Sequence, residues 1–141
     1  MTREEFVLAA MAPGGGYRYT PVQVQKLLFL LERQIPGAFN GPHFNFQPYH
    51  YGPFDSAVYS QLEQLAARGL VLIDHSGSPR SFILTTEGAA VGNRALDTLP
   101  PQVHEFIVHT CKFVRAQSFS SLVSAIYKAF PDMRVNSVFQ S

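Results

Sequence analysis

The sequence is poor in charged residues. Only 15% of its 141 residues are Asp, Glu, Lys or Arg, whereas an average soluble domain has about 25%. The formal net charge is only +1. Because a nucleic-acid-binding domain usually carries a clear basic excess, this composition disfavours a polyanionic partner. A surface with few charges is easily desolvated, which favours a protein partner or self-association, including a homodimer.

The chain also has few cysteines and no long apolar run. Cys111 is its one cysteine, which excludes an internal disulfide and suits a reducing cytosol. The leucine-rich run at residues 27–31, like every other apolar run in the sequence, is far shorter than the roughly 20 residues that span a bilayer. The first residues are not followed by the apolar stretch of a signal peptide. We therefore expect a cytoplasmic protein without a membrane partner.

Six segments have the sequence pattern of helices. The first two begin at Thr2 and Thr20, each of which starts a capping-box sequence. The third helix is predicted over residues 53–68, the fourth over 85–99, and two C-terminal helices over about 100–131. The apolar stripes of these helices predict a set of core side chains: Leu27, Leu31, Val58, Leu62, Ile126 and Phe130.

A β-hairpin is predicted over about residues 70–84, because two β-prone runs flank a glycine-containing loop. Three helices, a hairpin and a further helix form the element order of a winged helix. The segment 62–88 resembles the corresponding part of PadR-like and MarR-like regulators. We expect one domain over residues 1–141. Its fold class is mainly α with a small β-hairpin, namely a winged-helix-like core plus extra C-terminal helices.

No residue pattern indicates catalysis. Cys111 has apolar neighbours, which predicts a buried structural thiol. Asp55 and Glu63 are eight residues apart, or about 12 Å along a helix, which is too far for a glycosidase acid pair. The glycine run at residues 14–16 lacks the Lys and Ser or Thr of a phosphate loop. We expect no catalytic residue.

The histidines lack the spacing of metal ligands. His43 and His50 are seven residues apart, which in a strand places them on opposite faces. His104 and His109 are five residues apart, off the i, i+4 spacing of paired ligands on a helix. We therefore expect neither a metal site nor a cofactor.

Three segments together resemble the Panacea family, the antitoxin domain also called SocA-like. The first is VQKLLF at residues 24–29. The second is YHYGPF at 49–54, which continues into Val58 and Tyr59. The third is IYKAFP at 126–131, followed by VNS at 135–137. The resemblance implies a helical domain that binds and neutralises a toxin encoded beside it. Some relatives act as adaptors that deliver a toxin to a protease.

The aromatic turn before the third helix is the candidate partner surface. Its rings either fill the core, since aromatic side chains carry a large buriable area, or face outward with Tyr59, and the two readings can hold for different rings. Tyrosine offers a large amphipathic area with few rotors, which suits a binding hot spot. The expected partner-binding residues are Tyr49, His50, Tyr51, Asp55, Tyr59 and Glu63. The carboxylates among them would suit a basic partner.

Two functions follow from these patterns. The first is a non-catalytic protein-binding module, an antitoxin-like neutraliser or adaptor for a cognate protein. The alternative is a winged-helix DNA-binding transcriptional regulator that reads DNA with its third helix. Asp55 and Glu63 on that helix would repel phosphate, and the hairpin loop offers only Arg80. Because neutralised phosphates supply much of the affinity for DNA, the protein-binding function is favoured.

Overall fold

The structure, a computed structural model, describes residues 1–139. Within that range it is mainly helical, with two antiparallel strand pairs. In chain order the elements are α1 (Arg3–Met11), α2 (Pro21–Gln34), β1 (Gln47–Tyr49), β2 (Gly52–Phe54), α3 (Ala57–Ala67), β3 (Val71–Asp74), β4 (Ser81–Leu84), α4 (Thr86–Asp97), α5 (Pro101–Ala116) and α6 (Phe119–Ala129). This confirms the predicted fold class, mainly α with a small hairpin.

The helices begin where the sequence places capping residues. Thr2 Oγ1 accepts a hydrogen bond from Glu5 N at 3.1 Å, and the Glu5 carboxylate accepts one from Thr2 N at 2.9 Å. Thr20 and Gln23 form the same capping box at the start of α2. Such caps satisfy amide donors that have no partner within a helix. None of the helices in the described range is both long and apolar enough to span a membrane.

The predicted hairpin is the pair β3–β4, whose register runs from Val71 opposite Leu84 to Asp74 opposite Ser81. Tyr19, in the loop before α2, forms an isolated antiparallel β-bridge with Phe82 of β4. Tyr19 N donates to Phe82 O at 3.0 Å, and Phe82 N donates to Tyr19 O at 2.8 Å. The hairpin is therefore tied to the N-terminal helices through backbone hydrogen bonds.

The prediction that the third helix begins at residue 53 is wrong. Residues 52–54 form β2, which pairs antiparallel with β1 in a second hairpin. Gly52 has a left-handed φ of +101° in the turn, which glycine adopts without steric cost. The Asp55 carboxylate accepts from Ala57 N at 2.9 Å, so this local bond occupies an amide at the helix start. Consequently α3 begins at Ala57.

The core prediction is confirmed for five of its six side chains, since Leu27, Leu31, Val58, Leu62 and Ile126 are buried. It is wrong for Phe130, which is half-buried. Phe130 caps the C-terminus of α6, and its ring lies at the edge of the core, with the Arg33 guanidinium 5.1 Å from the ring centroid. The predicted burial of Cys111 is confirmed, and its thiol lies 2.9 Å from the Tyr19 hydroxyl.

Candidate functional site

The turn of the β1–β2 hairpin presents aromatic side chains to solvent. Tyr49 is 50% exposed and Tyr51 is 43% exposed. The Tyr49 ring stacks on the exposed His50 ring at a centroid distance of 4.2 Å. Tyr51 packs edge-on against Phe119, at the start of α6, at 5.3 Å, and Phe119 is itself exposed. We call Tyr49, His50, Tyr51 and Phe119 the aromatic patch. The rings of Tyr49 and Tyr51 therefore do not fill the core, whereas Tyr59, which was expected to face outward with them, is half-buried.

Hydrogen bonds hold this hairpin from two sides. On one side, Gln25 Nε2 donates to Asp55 O at 2.9 Å, and Gln25 Oε1 accepts from Asp55 N at 3.1 Å. On the other side, Val138 N donates to His50 O at 2.9 Å and Ser137 Oγ donates to the same oxygen at 3.3 Å. The patch is therefore carried on a fixed backbone, which lowers the entropy lost when its side chains bind a partner.

A pocket of about 170 Å³ lies between this hairpin and the first turns of α2. Its walls include Lys26, Tyr49, His50, Tyr51, Phe54 and Tyr59. Tyr49 and Tyr51 both line the pocket and are exposed, so they form its rim. None of its nine lining residues carries a carboxylate, whereas amine, amide, imidazole and phenol groups are all present. The pocket thus combines aromatic walls with hydrogen-bond donors.

Lys26 is the charged residue of this pocket, and it is only 3% exposed. Among the residues that the structure describes, it is the one buried residue with a formal charge, and no acidic side chain forms an ion pair with it. Its Nζ donates to Pro53 O at 3.1 Å. Burial lowers the pKa of Lys26 from 10.5 to about 8, because desolvation disfavours the charged form.

This lowered pKa predicts a pH-dependent stability. Between about pH 8 and 10.5 the unfolded chain retains the Lys26 proton while the folded chain releases it. The free energy of unfolding of the native protein should therefore rise with pH across this window, relative to that of Lys26→Met. Denaturant unfolding of both proteins at several pH values measures the difference. A difference that stays constant with pH would contradict the burial of a titrating lysine.

The comparison with Lys26→Met is necessary because tyrosines titrate in the same range. Burial raises the pKa of Tyr19 and of Tyr59. A raised tyrosine pKa lowers stability as pH increases above the ordinary value of 10, which opposes the lysine effect. Both tyrosines are retained in the variant, so their contribution is removed when the two pH profiles are subtracted.

Tyr59 belongs to the pocket but not to the exposed rim. It is half-buried, and its ring lies nearly parallel to Phe82 at a centroid distance of 6.1 Å. The Arg80 guanidinium lies 5.0 Å from the Tyr59 ring centroid. Because Tyr59, a residue of α3, packs against Phe82 of the β3–β4 hairpin, its substitution would change stability as well as binding.

The two carboxylates of the predicted surface lie apart from the pocket. Asp55 uses its carboxylate within the chain, where it accepts from Asn45 N at 2.8 Å and from Ala57 N at 2.9 Å. Glu63 is exposed on α3 and is not among the pocket residues. Of the six predicted site residues, the structure therefore brings four together at the pocket: Tyr49, His50, Tyr51 and Tyr59.

Sequence reasoning missed Lys26 and Gln25 as site residues. Both lie in the part of α2 from Gln23 to Leu31, in which every residue is buried. The available signal was a single lysine within an otherwise uncharged stretch, residues 20–31. A helix that is buried all round normally contains no charge, so a lysine in such a helix indicates a local role.

Comparison with known proteins finds no family model that matches this chain, and no significant match among curated proteins or solved structures. The resemblance to the Panacea family therefore stays a prediction from the sequence. Among residues 1–139, no group of three or more His, Cys, Asp or Glu side chains is placed to hold a metal ion.

Proposed function

We propose that this chain is a non-catalytic protein-binding module that neutralises a cognate partner protein in the cytoplasm, as an antitoxin or adaptor does. The observation that carries the proposal is the aromatic patch on a braced hairpin. Tyr49 and Tyr51 are large, exposed and held in place by the Gln25 and Val138 hydrogen bonds. The sequence resemblance to an antitoxin family supports the choice of a toxin as the partner.

The physical basis is the energetics of protein interfaces. Binding free energy is concentrated in a few residues, and tyrosine is enriched among them. A tyrosine ring buries a large apolar area, while its hydroxyl can still find a polar partner. Tyr51 and Phe119 are in contact, so the patch is continuous from the hairpin to α6. A contiguous exposed apolar patch is typical of an interaction site.

Tyr49→Ala and Tyr51→Ala should each weaken partner binding by more than about 1 kcal/mol, which is roughly fivefold in Kd. The matched control is Phe113→Ala, an aromatic residue on α5 that is 42% exposed. The partner to use is the product of the neighbouring reading frame, co-expressed with this chain. Growth rescue measures neutralisation, and titration calorimetry of the purified proteins measures Kd.

Thermal unfolding of each variant shows whether a loss of binding reflects a loss of fold. A stable double variant, Tyr49→Ala with Tyr51→Ala, that still neutralises the partner fully would place the interface elsewhere. If Phe113→Ala alone weakens the complex, the interface is the groove of about 320 Å³ that Phe113 lines with residues of α2 and α6.

The alternative function is a winged-helix DNA-binding regulator. The element order α3, β3, β4, α4 favours it, but the arginines beside α3 and the hairpin are engaged within the chain. Arg18 pairs with Asp74 and Arg68 pairs with Glu4. Affinity for DNA depends on cations that neutralise phosphates. A nanomolar, sequence-dependent complex with duplex DNA at physiological salt would replace the protein-binding proposal with this one.

A further inference from the structure

The pocket beneath the aromatic patch contains a cation without an anion. Lys26 Nζ can donate three hydrogen bonds, and its acceptor within the described residues is Pro53 O at 3.1 Å. An ammonium removed from water is unfavourable unless it is paired. The hairpin nevertheless keeps Lys26 covered, since a Cβ added to Gly52 would lie 3.7 Å from Lys26 Cε. The fold thus positions a desolvated positive charge at the wall of an open pocket.

The remaining walls fit a carboxylate better than other ligands. The lining residues His50, Tyr49, Tyr51 and Tyr59 carry further hydrogen-bonding groups, and none of the lining residues carries a negative charge. One ammonium matches one negative charge, whereas a phosphate monoester carries nearly two. The aromatic rings offer apolar surface that the methylene groups of a ligand side chain can contact. A glutamate side chain has both features, a two-carbon stem and a single terminal charge.

We propose that the Lys26 pocket receives an acidic side chain, Glu or Asp, of the partner protein. The inference rests on the proposed function and names the chemistry of its partner. Because Tyr49 and Tyr51 form the rim, a partner main chain crossing the aromatic patch would direct one side chain down to Lys26. The carboxylate and the ammonium then form a charge-assisted hydrogen bond in a desolvated setting, where such bonds are strong.

The sequence predicts a basic partner, whereas the pocket requires an acidic residue of the partner. That prediction relied on the carboxylates of Asp55 and Glu63. The Asp55 carboxylate accepts two backbone hydrogen bonds within the chain, and Glu63 is outside the pocket. Lys26 is the one charged residue that lines the pocket, so an acidic partner residue is complementary to it.

The test uses three small capped amino acids and therefore does not require the partner. The main probe is N-acetylglutamate N-methylamide, which carries a side-chain carboxylate only. N-acetylglutamine N-methylamide is its neutral counterpart, and N-acetylalanine carries a C-terminal carboxylate only. NMR titration of the full chain follows the Lys26 Cε methylene and the Tyr49 and Tyr51 rings. We expect saturable shifts with the glutamate probe and binding at least roughly tenfold weaker with the glutamine probe.

Two variants locate the binding. Lys26→Met should remove the response to the glutamate probe, and Lys112→Met, at an exposed lysine of α5, should not. Lys26→Gln replaces Lys26→Met if the latter does not fold. No saturable shift up to about 50 mM glutamate probe would overturn the inference, as would equal binding by Lys26→Met or by the glutamine probe. If N-acetylalanine binds more tightly than the glutamate probe, the pocket receives a C-terminal carboxylate and the proposal of an acidic side chain is overturned.

These outcomes are independent of the experiment on the proposed function. If the glutamate probe binds at Lys26 but the tyrosine variants neutralise the partner fully, the pocket is a carboxylate site and the proposed interface is wrong. If the tyrosine variants lose the partner but the probe does not bind, the interface stands and the inference about Lys26 fails.

Discussion

Leu62→Ala should lower the free energy of unfolding by about 2–5 kcal/mol, the range measured for leucine cavities in packed cores. Leu62 is completely buried on α3, in one core cluster with Val58 and Leu65. The truncation removes three carbon atoms that make apolar contacts. It also leaves a cavity, which the surrounding structure closes only in part. Chemical denaturation measures the loss, provided that the slope of the transition is unchanged.

Leu72→Ala is the matched control for this experiment. Leu72 lies on β3 and is 54% exposed, so the same chemical change there should stay within about 0.5 kcal/mol. A loss below about 0.5 kcal/mol for Leu62→Ala itself would show that α3 does not pack on the core. The two variants together therefore test the orientation of the helix that leads into the β3–β4 hairpin.

Gly88→Ala should destabilise the protein although alanine is the better helix former. In a helix that can accommodate the methyl group, the change is favourable by about 1 kcal/mol. Here a Cβ on Gly88 would lie 1.9 Å from Leu70 O and 2.9 Å from Leu70 C, both of them backbone atoms. Overpacking of this kind typically costs about 1–3 kcal/mol. Because the clash exceeds the gain in propensity, we expect a net loss of stability.

Gly16→Ala provides the control, because a Cβ there meets nothing within 4 Å and its φ is not left-handed. That change should be neutral or stabilising by up to about 1 kcal/mol, since it restricts the unfolded chain. Differential scanning calorimetry of the two variants gives the comparison. A higher melting temperature for Gly88→Ala than for the native protein would mean that α4 is not held against the carbonyl of Leu70.

The starts of four helices, α1, α2, α4 and α6, could be predicted because their causes are local. Thr2, Thr20, Thr85 and Ser118 each accept a hydrogen bond from the amide three residues later. A cap requires only a side-chain oxygen and its own neighbours in the chain, so the sequence contains all the necessary information. The β3–β4 hairpin was predictable for the same reason, because its strands are separated by a short loop.

The β1–β2 hairpin could not be predicted, because distant residues stabilise it. Each strand has three residues, and Pro48 lies opposite Pro53. Proline within a strand is ordinarily evidence against that strand, since it removes a hydrogen-bond donor. The pairing is supported by the Gln25 side chain and by residues 137–138, contacts that the local pattern does not contain. The error in the start of α3 follows directly from this missed pairing.

The candidate site was predicted in part for a similar reason. Tyr49 and Tyr51 could be selected because the glycine–proline turn fixes the backbone beside them, but the sequence did not decide whether their rings fill the core or face outward. For Lys26 the sequence offered only its isolation in an uncharged stretch, because its burial depends on the hairpin that covers it. Without that hairpin the lysine would reach solvent along the surface of α2, as lysines in most helices do.

The hydrogen bonds from Ser137 and Val138 to the turn of the β1–β2 hairpin have a consequence for synthesis. His50 and Ser137 are 87 residues apart in the sequence. At the usual translation rates of about 5–20 residues per second, the second brace is made roughly 4–17 s after the turn that it holds. During that interval the turn lacks the hydrogen bonds that Ser137 and Val138 donate to His50 O. The aromatic patch therefore gains its full bracing only after residues 137 and 138 have been synthesised.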